Sequence, residues 1–203
     1  MRIISVDFQK EFSARGGLHY KLRPSVKFIK ETLVPFLREK NIKIAEIISD
    51  YRQPRPGDLD NSTIPGEEGY ISEVPKDVKL DNVWIKCMNS PIWIRKNIGV
   101  ANKKLGLPYQ NPESFNRWLK QVIGKPKDAD EIVLIGLTLD CCVLSLAQEL
   151  NWHGYKVRIL EEAVDTYSGN PQEKKQILNN FPLKNWAKPI SYKQVIETLE
   201  KNI

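Results

Sequence analysis

Apolar runs and helical patterns alternate along this chain. Short apolar runs predict buried strands, and they lie at residues 3–6, 42–48, 83–85, 131–135 and 156–160. Between and after these runs, apolar residues recur every three or four positions, which is the spacing of one face of a helix. Helices are therefore predicted at residues 25–40, from residue 111 onward, and at residues 142–152, 171–179 and 192–201.

Local signals refine several of these segments. Pro35 lies inside the pattern of the first predicted helix and should bend it. Asn111 followed by Pro112 is typical of a helix start, with asparagine as the cap and proline in the first turn. Residues 51–75 are rich in Pro, Gly and Asp and predict a long loop, whereas residues 87–111 have no simple assignment.

The alternation of strands and helices defines the expected fold class. Parallel strands that are connected by helices are buried on both faces, and they read as continuous apolar runs. We therefore predict an α/β protein, a three-layer α/β/α fold with a central, mostly parallel six-stranded sheet of the Rossmann-like kind. A length of 203 residues suffices for one hydrophobic core, so one domain over residues 1–203 is expected.

Composition and charge narrow the range of partners. Hydrophobic residues make up 41% of the chain and charged residues 28%, as in ordinary globular proteins. The net charge is +6, but lysines are interleaved with glutamates, so we predict no nucleic-acid partner. The N-terminus reaches Asp7 too early for a signal peptide, and no membrane span is predicted. The chain has 3 cysteines, and two of them are adjacent in the sequence. An odd number with two adjacent members does not suit a disulfide framework and favours reduced thiols in the cytoplasm.

Three different predicted strands end on chemically useful residues. Asp7 follows the first strand, Lys86 ends the third, and the turn at 138–142 presents adjacent cysteines at a helix start. Ligands bind beyond the carboxyl ends of parallel strands, so an acid, a base and a thiol are expected in one crevice. A helix N-terminus lowers the pKa of a thiol, which makes Cys142 the first candidate nucleophile.

Several segments resemble one known family. The first strand continues as Asp7-Phe-Gln-Lys-Glu-Phe12, which looks like a D-x-Q-x-x-F motif, and Gly16-Gly-Leu follows. Ile64-Pro-Gly-Glu-Glu-Gly69 looks like a P-G-T-x-G loop, and Gly136-Leu-Thr-Leu-Asp-Cys-Cys-Val143 looks like a nucleophile turn. On these motifs the chain resembles the isochorismatase-like cysteine hydrolases, which include nicotinamidases and N-carbamoylsarcosine amidases. The resemblance implies a single domain of this kind over residues 1–203.

The resemblance implies a role for each strand-end residue. It makes Cys142 the nucleophile instead of Cys141, with Asp7 taking the thiol proton and a lysine completing the triad. Lys86 fits this lysine because it ends the strand that follows the Pro-Gly loop. Lys96 also follows an apolar stretch and is the alternative.

The resemblance also implies how the pocket is built. A non-proline cis peptide between Leu137 and Thr138 is expected to aim backbone N–H groups at the oxygen of a tetrahedral intermediate. Gln9 and Phe12 are expected to help build the pocket. The unassigned segment at residues 87–111 is expected to form its wall or lid.

One departure from the family concerns the metal. Nicotinamidases commonly use an Asp-x-His after the second strand with further histidines, whereas this chain has Asp50-Tyr-Arg52. A lone Asp50 cannot hold a metal ion, so we predict no bound metal and no cofactor. Arg52 either faces a carboxylate of the substrate or is an exposed loop arginine.

These features together predict a hydrolase. The expected reaction is cleavage of a C–N bond in a small amide, ureide or carbamoyl substrate, through a thioester on Cys142 with an Asp-Lys-Cys triad. Two alternatives stay open: an isochorismatase-type vinyl-ether hydrolase on the same fold, and a binding protein that kept the fold without turnover. The expected partner is a small molecule, and the resemblance implies a homo-oligomer.

Overall fold

Six strands form one parallel sheet in the computed structural model, which describes residues 1–57, 60–126 and 131–201. The strands are β1 (Arg2–Val6), β2 (Ala45–Ser49), β3 (Trp84–Lys86), β6 (Ile132–Leu137), β7 (Val157–Asp165) and β8 (Ala187–Ile190). Their order is β3-β2-β1-β6-β7-β8, and every neighbouring pair is parallel. Two further strands, β4 (Trp93–Ile94) and β5 (Tyr109–Gln110), pair antiparallel within the segment that had no predicted assignment.

Helices flank this sheet, so the predicted three-layer α/β/α class is confirmed. The helices are α1 (Lys10–Ser13), α2 (Pro24–Phe28), α3 (Val34–Glu39), α4 (Pro112–Val122), α5 (Leu144–Trp152), α6 (Pro171–Asn179) and α7 (Tyr192–Glu200). Shorter elements are the π-helical turns Ile29–Leu33 and Leu139–Val143 and the 3₁₀ turns Glu68–Tyr70, Lys76–Val78 and Leu183–Asn185. Within the described part of the chain, no helix is long and apolar enough to cross a membrane.

The sixth strand is the one that the apolar pattern does not reveal. β8 reads Ala187-Lys-Pro-Ile190, so a lysine and a proline interrupt what would otherwise be an apolar run. It lies at the edge of the sheet, beside β7 only. An edge strand tolerates proline because one side of its backbone needs no partner strand.

The predicted helix signals lead to two different outcomes. Asn111 caps α4 as expected, and its side chain accepts a hydrogen bond from Ser114 N at 3.0 Å. The helix predicted at residues 25–40 is present, but a π-helical turn immediately before α3 divides it. Pro35 cannot donate a backbone hydrogen bond to the preceding turn, which accounts for this irregularity. In the predicted loop at residues 51–75, positions 58 and 59 lie outside the described residues.

The strand order reverses at the middle of the sheet, between β1 and β6. From β1 the chain moves outward through β2 and β3, and from β6 it moves outward through β7 and β8. Val6 pairs in register with Gly136, and a Cβ on Gly136 would lie 2.1 Å from the Val6 carbonyl oxygen. Gly136 also has a φ of +111°, so glycine is required at this close approach. A reversal of this kind creates a crevice beyond the carboxyl ends of the two strands.

Candidate active site

The side chains predicted at the strand ends meet in one buried cluster. Lys86 Nζ donates to Asp7 Oδ2 at 2.8 Å and lies 3.4 Å from Cys142 Sγ. Asp7 is 0% exposed, Lys86 1% and Cys142 5%. Asp7 follows β1, Lys86 ends β3, and Cys142 lies in the π-helical turn that follows β6. The carboxyl edge of the sheet therefore brings together an acid, a lysine and a thiol.

A tyrosine that the sequence analysis did not single out completes the cluster. Tyr51 Oη lies 2.6 Å from Lys86 Nζ, 3.1 Å from Cys142 Sγ and 3.5 Å from Asp7 Oδ2. Tyr51 is itself 5% exposed. It follows the carboxyl end of β2, so the same strand-end reasoning that selected Asp7 would have found it.

Asn89 connects the cluster to the surface. Its side chain is exposed, and its Oδ1 lies 3.6 Å from Cys142 Sγ, within reach of a thiol hydrogen bond. Asn89 lies in the turn that follows β3, three positions after Lys86. The side of the thiol that faces Asn89 is therefore the side nearest to solvent.

Burial raises the pKa of the Cys142 thiol to about 12. Lys86 and a hydrogen bond with Tyr51 lower this pKa, whereas Asp7 raises it. The expected lowering of the thiol pKa by a helix start is therefore wrong for the resting site, because desolvation outweighs the favourable contacts. The raised pKa favours the neutral thiol in the resting site.

The two carboxylate oxygens of Asp7 have different surroundings. Its Oδ2 accepts from Lys86, while Oδ1 is buried and has no hydrogen-bond partner among the described residues. Asp7 also has a φ of +46°, a left-handed conformation that aspartate tolerates better than most residues. Burial lowers the pKa of Lys86, but the charge of Asp7 and the contact with Cys142 offset this, and the net shift is upward. The ammonium therefore remains charged beside the carboxylate.

The alternative lysine and the neighbouring cysteine lie elsewhere. Lys96 is exposed, two positions after β4, whereas Lys86 is buried in the cluster. Cys141 is only partly buried, and its backbone N–H donates to the carbonyl of Thr138 at 3.2 Å. The geometry thus brings Lys86 and Cys142 together with Asp7.

The remaining predicted pocket residues have identifiable contacts. Gln9 is fully buried, and its side chain bonds the Ser49 backbone, the Ser49 hydroxyl and the Tyr70 carbonyl. Phe12 is buried and stacks on the ring of His19. Gln9 thus joins the ends of β1 and β2, and Phe12 packs in the core.

The backbone of the nucleophile turn has the predicted geometry. The peptide bond between Leu137 and Thr138 is cis, as the resemblance implies. Both residues are buried, and the Thr138 carbonyl accepts from the N–H groups of Cys141 and Val143. The helical conformation begins at Leu139, before the predicted start at residue 142, so Cys142 lies within the first turn.

The residues after β2 do not fit the metal site of nicotinamidases. Asp50 is fully buried, and Arg52 donates to Asp50 Oδ1 from Nε at 2.8 Å and to Asp50 Oδ2 from Nη2 at 2.6 Å. The Gly99 N–H also donates to Oδ2. The reading of Arg52 as an exposed loop arginine is therefore wrong, since its side chain is 12% exposed and is paired with Asp50, whereas a contact with a substrate carboxylate stays a prediction. Residues 1–57, 60–126 and 131–201 contain no group of three or more His, Cys, Asp or Glu side chains arranged to hold a metal ion.

Removal of metal ions is expected to leave the protein unchanged. The guanidinium of Arg52 already neutralises Asp50, so a chelator has no ligand set to empty among the residues that the structure describes. Dialysis against 1,10-phenanthroline and EDTA, followed by activity and melting-temperature measurements, checks this expectation. Loss of activity that returns on addition of zinc would contradict it.

Comparisons with known proteins find similarity to one family. A model of the isochorismatase domain matches residues 110–186. The fold is similar to an isochorismatase-like hydrolase from Alkaliphilus metalliredigens, with a TM-score of 0.61 and 19% identity over 98% of each chain. It is also similar to a nicotinamidase/pyrazinamidase from Bacillus subtilis (TM-score 0.60, 18% identity, 93% of this chain and 99% of that chain). The N-carbamoylsarcosine amidase from Thermoplasma acidophilum has a TM-score of 0.57 and 18% identity, with 94% and 96% covered.

The family model and these solved structures belong to the family that the sequence motifs resemble, and the solved structures share the fold of this chain at 18–19% identity. The family model covers Cys142 but not Asp7 or Lys86. A search of curated protein sequences finds no match.

Proposed function

We propose that residues 1–203 act as one hydrolase domain that cleaves a C–N bond in a small amide, ureide or carbamoyl compound through a thioester on Cys142. The observation that supports this most directly is the Lys86 ammonium between Asp7 and Cys142, in hydrogen-bond contact with both side chains. Two of the similar solved structures are named as amidases, which supports the same reaction class.

The first half of the reaction forms the thioester. Asp7 Oδ1 takes the thiol proton, and the Cys142 sulfur attacks the substrate carbonyl carbon. Backbone N–H groups of the turn at residues 137–142 hold the carbonyl oxygen as it becomes negative. The C–N bond then breaks, and the amine or ammonia leaves with the proton held by Asp7. Lys86 remains charged throughout and balances the negative charge that moves between carboxylate and sulfur.

The second half of the reaction restores the enzyme. Asp7 takes a proton from a water molecule, whose oxygen attacks the thioester carbonyl. The carbon–sulfur bond breaks, and the sulfur recovers a proton from Asp7. The products are a carboxylic or carbamic acid and the free thiol. A neutral resting thiol suits this cycle, because the proton leaves sulfur only when a substrate is present to react.

A screen for amine and ammonia release tests the proposal. We expect release from at least one member of a panel of small amides, ureides and carbamoyl compounds. Acid quenching during turnover should trap an acyl group on the Cys142 peptide, detected by mass spectrometry as a defined increase in mass. Release without any trapped adduct, together with unchanged release by Cys142→Ala, would contradict thioester chemistry.

Both alternatives predict no amine release from the panel, and further measurements separate them. A vinyl-ether hydrolase would consume an enol ether such as isochorismate, and its activity would survive Cys142→Ala. A binding protein would bind members of the panel without release of amine. Either result would replace the proposed reaction.

A further inference from the structure

The hydroxyl of Tyr51 lies at the centre of the buried cluster. It is within hydrogen-bond distance of Lys86 Nζ and Cys142 Sγ and 3.5 Å from Asp7 Oδ2. The hydroxyl oxygen lies 3.1 Å from the sulfur, closer than the Lys86 ammonium at 3.4 Å. Tyr51 is therefore the nearest of these polar neighbours to the atom that would attack a substrate.

Hydrogen-bond counting assigns the direction of these contacts. The Lys86 ammonium has no acceptor capacity, so it donates to Tyr51 Oη. The proton of the Tyr51 hydroxyl must then point to another acceptor, and Cys142 Sγ is nearer than Asp7 Oδ2. Burial, with the neighbouring Cys142 and Asp7, raises the pKa of Tyr51 well above its usual value. The hydroxyl consequently keeps its proton and remains a donor while the thiol reacts.

The loop that carries Tyr51 is fixed at its backbone. Tyr51 N donates to Thr63 Oγ1 at 3.0 Å and to the Ser62 carbonyl at 3.1 Å. Thr63 has a φ of +49°, which is uncommon for a β-branched residue. On the other side, the buried guanidinium of Arg95 donates to the carbonyls of Asp50, Arg52 and Pro54. These contacts hold the residues on both sides of Tyr51.

The ring of Tyr51 is also enclosed by positive charge. Lys86 Nζ lies 4.8 Å and Arg55 Cζ 4.5 Å from the ring centroid. Cations at these distances interact favourably with an aromatic face and limit its movement. These contacts therefore hold the Tyr51 side chain in place, with its hydroxyl next to the Cys142 sulfur.

We propose that Tyr51 is a fourth catalytic residue, whose hydroxyl donates a hydrogen bond to the Cys142 sulfur as the thiol proton moves to Asp7. The sulfur–hydrogen bond breaks, the new oxygen–hydrogen bond forms on Asp7 Oδ1, and the Tyr51 proton stays on its own oxygen. A hydrogen bond to a charged acceptor is stronger than one to a neutral acceptor, so the contact strengthens as the thiolate forms. This role rests on the proposed thiol chemistry and adds a second donor to the one that Lys86 supplies.

Thiol reactivity in the absence of substrate tests this role. Tyr51→Phe keeps the ring and removes only the hydroxyl. Both proteins are compared in a Cys141→Ser background. At every pH from 7 to 9.5, we expect iodoacetamide to alkylate Cys142 about 10-fold to 100-fold more slowly in Tyr51→Phe than in the protein that keeps Tyr51. Peptide mass spectrometry separates Cys142 from Cys87, which lies in another part of the sequence.

Tyr155→Phe is the matched control. It removes a different hydroxyl, one that donates to the Gly124 carbonyl at 2.6 Å, and it should leave Cys142 alkylation unchanged. An unchanged or faster alkylation rate in folded Tyr51→Phe would overturn the proposal, since the ring would then only shield the thiol.

A second variant covers the case in which Tyr51→Phe does not fold. Incorporation of 3-fluorotyrosine at position 51 keeps the hydroxyl and makes it a better donor, so alkylation should become faster. No change in rate would contradict the proposal. Alkylation needs no substrate, so the two proposals fail separately. A failed amine-release screen would refute the proposed reaction, whereas the alkylation rates alone test the hydrogen bond from Tyr51 to Cys142.

Discussion

Cys142→Ala is expected to lower kcat/KM for an amide found in the release screen by at least about 10³-fold. The sulfur is the only atom in the cluster that the proposed reaction bonds to carbon, so its removal leaves no route to the thioester. Asp7 and Lys86 remain paired at 2.8 Å in this variant, and the buried charges stay balanced. The melting temperature should therefore stay close to that of the parent protein.

Cys141→Ala provides an unusually close control. The two cysteines are neighbours in the same π-helical turn, but Cys141 is only partly buried and Cys142 contacts Lys86, Tyr51 and Asn89. Cys141→Ala should keep kcat/KM within about threefold of the parent value, a shift of less than about 0.7 kcal/mol. Equal losses in both variants would mean that the turn, and not the Cys142 sulfur, limits activity.

The three strand-end residues were predictable because the rule that selects them depends on topology. Asp7 and Lys86 are 79 positions apart, yet the sheet order β3-β2-β1-β6 brings the ends of their strands to one edge. Buried parallel strands appear in the sequence as apolar runs, so the positions of their ends can be predicted from the sequence. The wholly buried strands β2 and β6 are clear examples.

Asn89 was missed because it lies in a loop, whereas Tyr51 follows the end of β2 and only its exact position is set by loop contacts. The position of Tyr51 depends on Thr63 and Arg95, which are distant in sequence and whose contacts no spacing rule predicts. The direction of the Cys142 pKa shift was wrong for a related reason. A helix start is visible in the sequence, but the degree of desolvation around one sulfur depends on the packing of the whole crevice.

Lys86→Met is expected to abolish measurable turnover and to destabilise the fold by about 3–5 kcal/mol. Lys86 is 1% exposed and Asp7 is 0% exposed, so removal of the ammonium leaves a buried carboxylate without its charge partner. Urea unfolding followed by circular dichroism measures the loss of unfolding free energy. The exposed Lys96, replaced in the same way, should change neither activity nor unfolding.

A second substitution separates the charge effect from a packing effect. In Asp7→Asn/Lys86→Met both charges are gone, and replacement of a whole buried pair is often neutral where removal of one partner is not. Asparagine suits position 7 because it tolerates the φ of +46° found there. The double variant should therefore regain most of the stability lost in Lys86→Met while remaining inactive. If the double variant is instead less stable than Lys86→Met, packing stabilises the buried cluster, and the ion pair between Asp7 and Lys86 serves the chemistry alone.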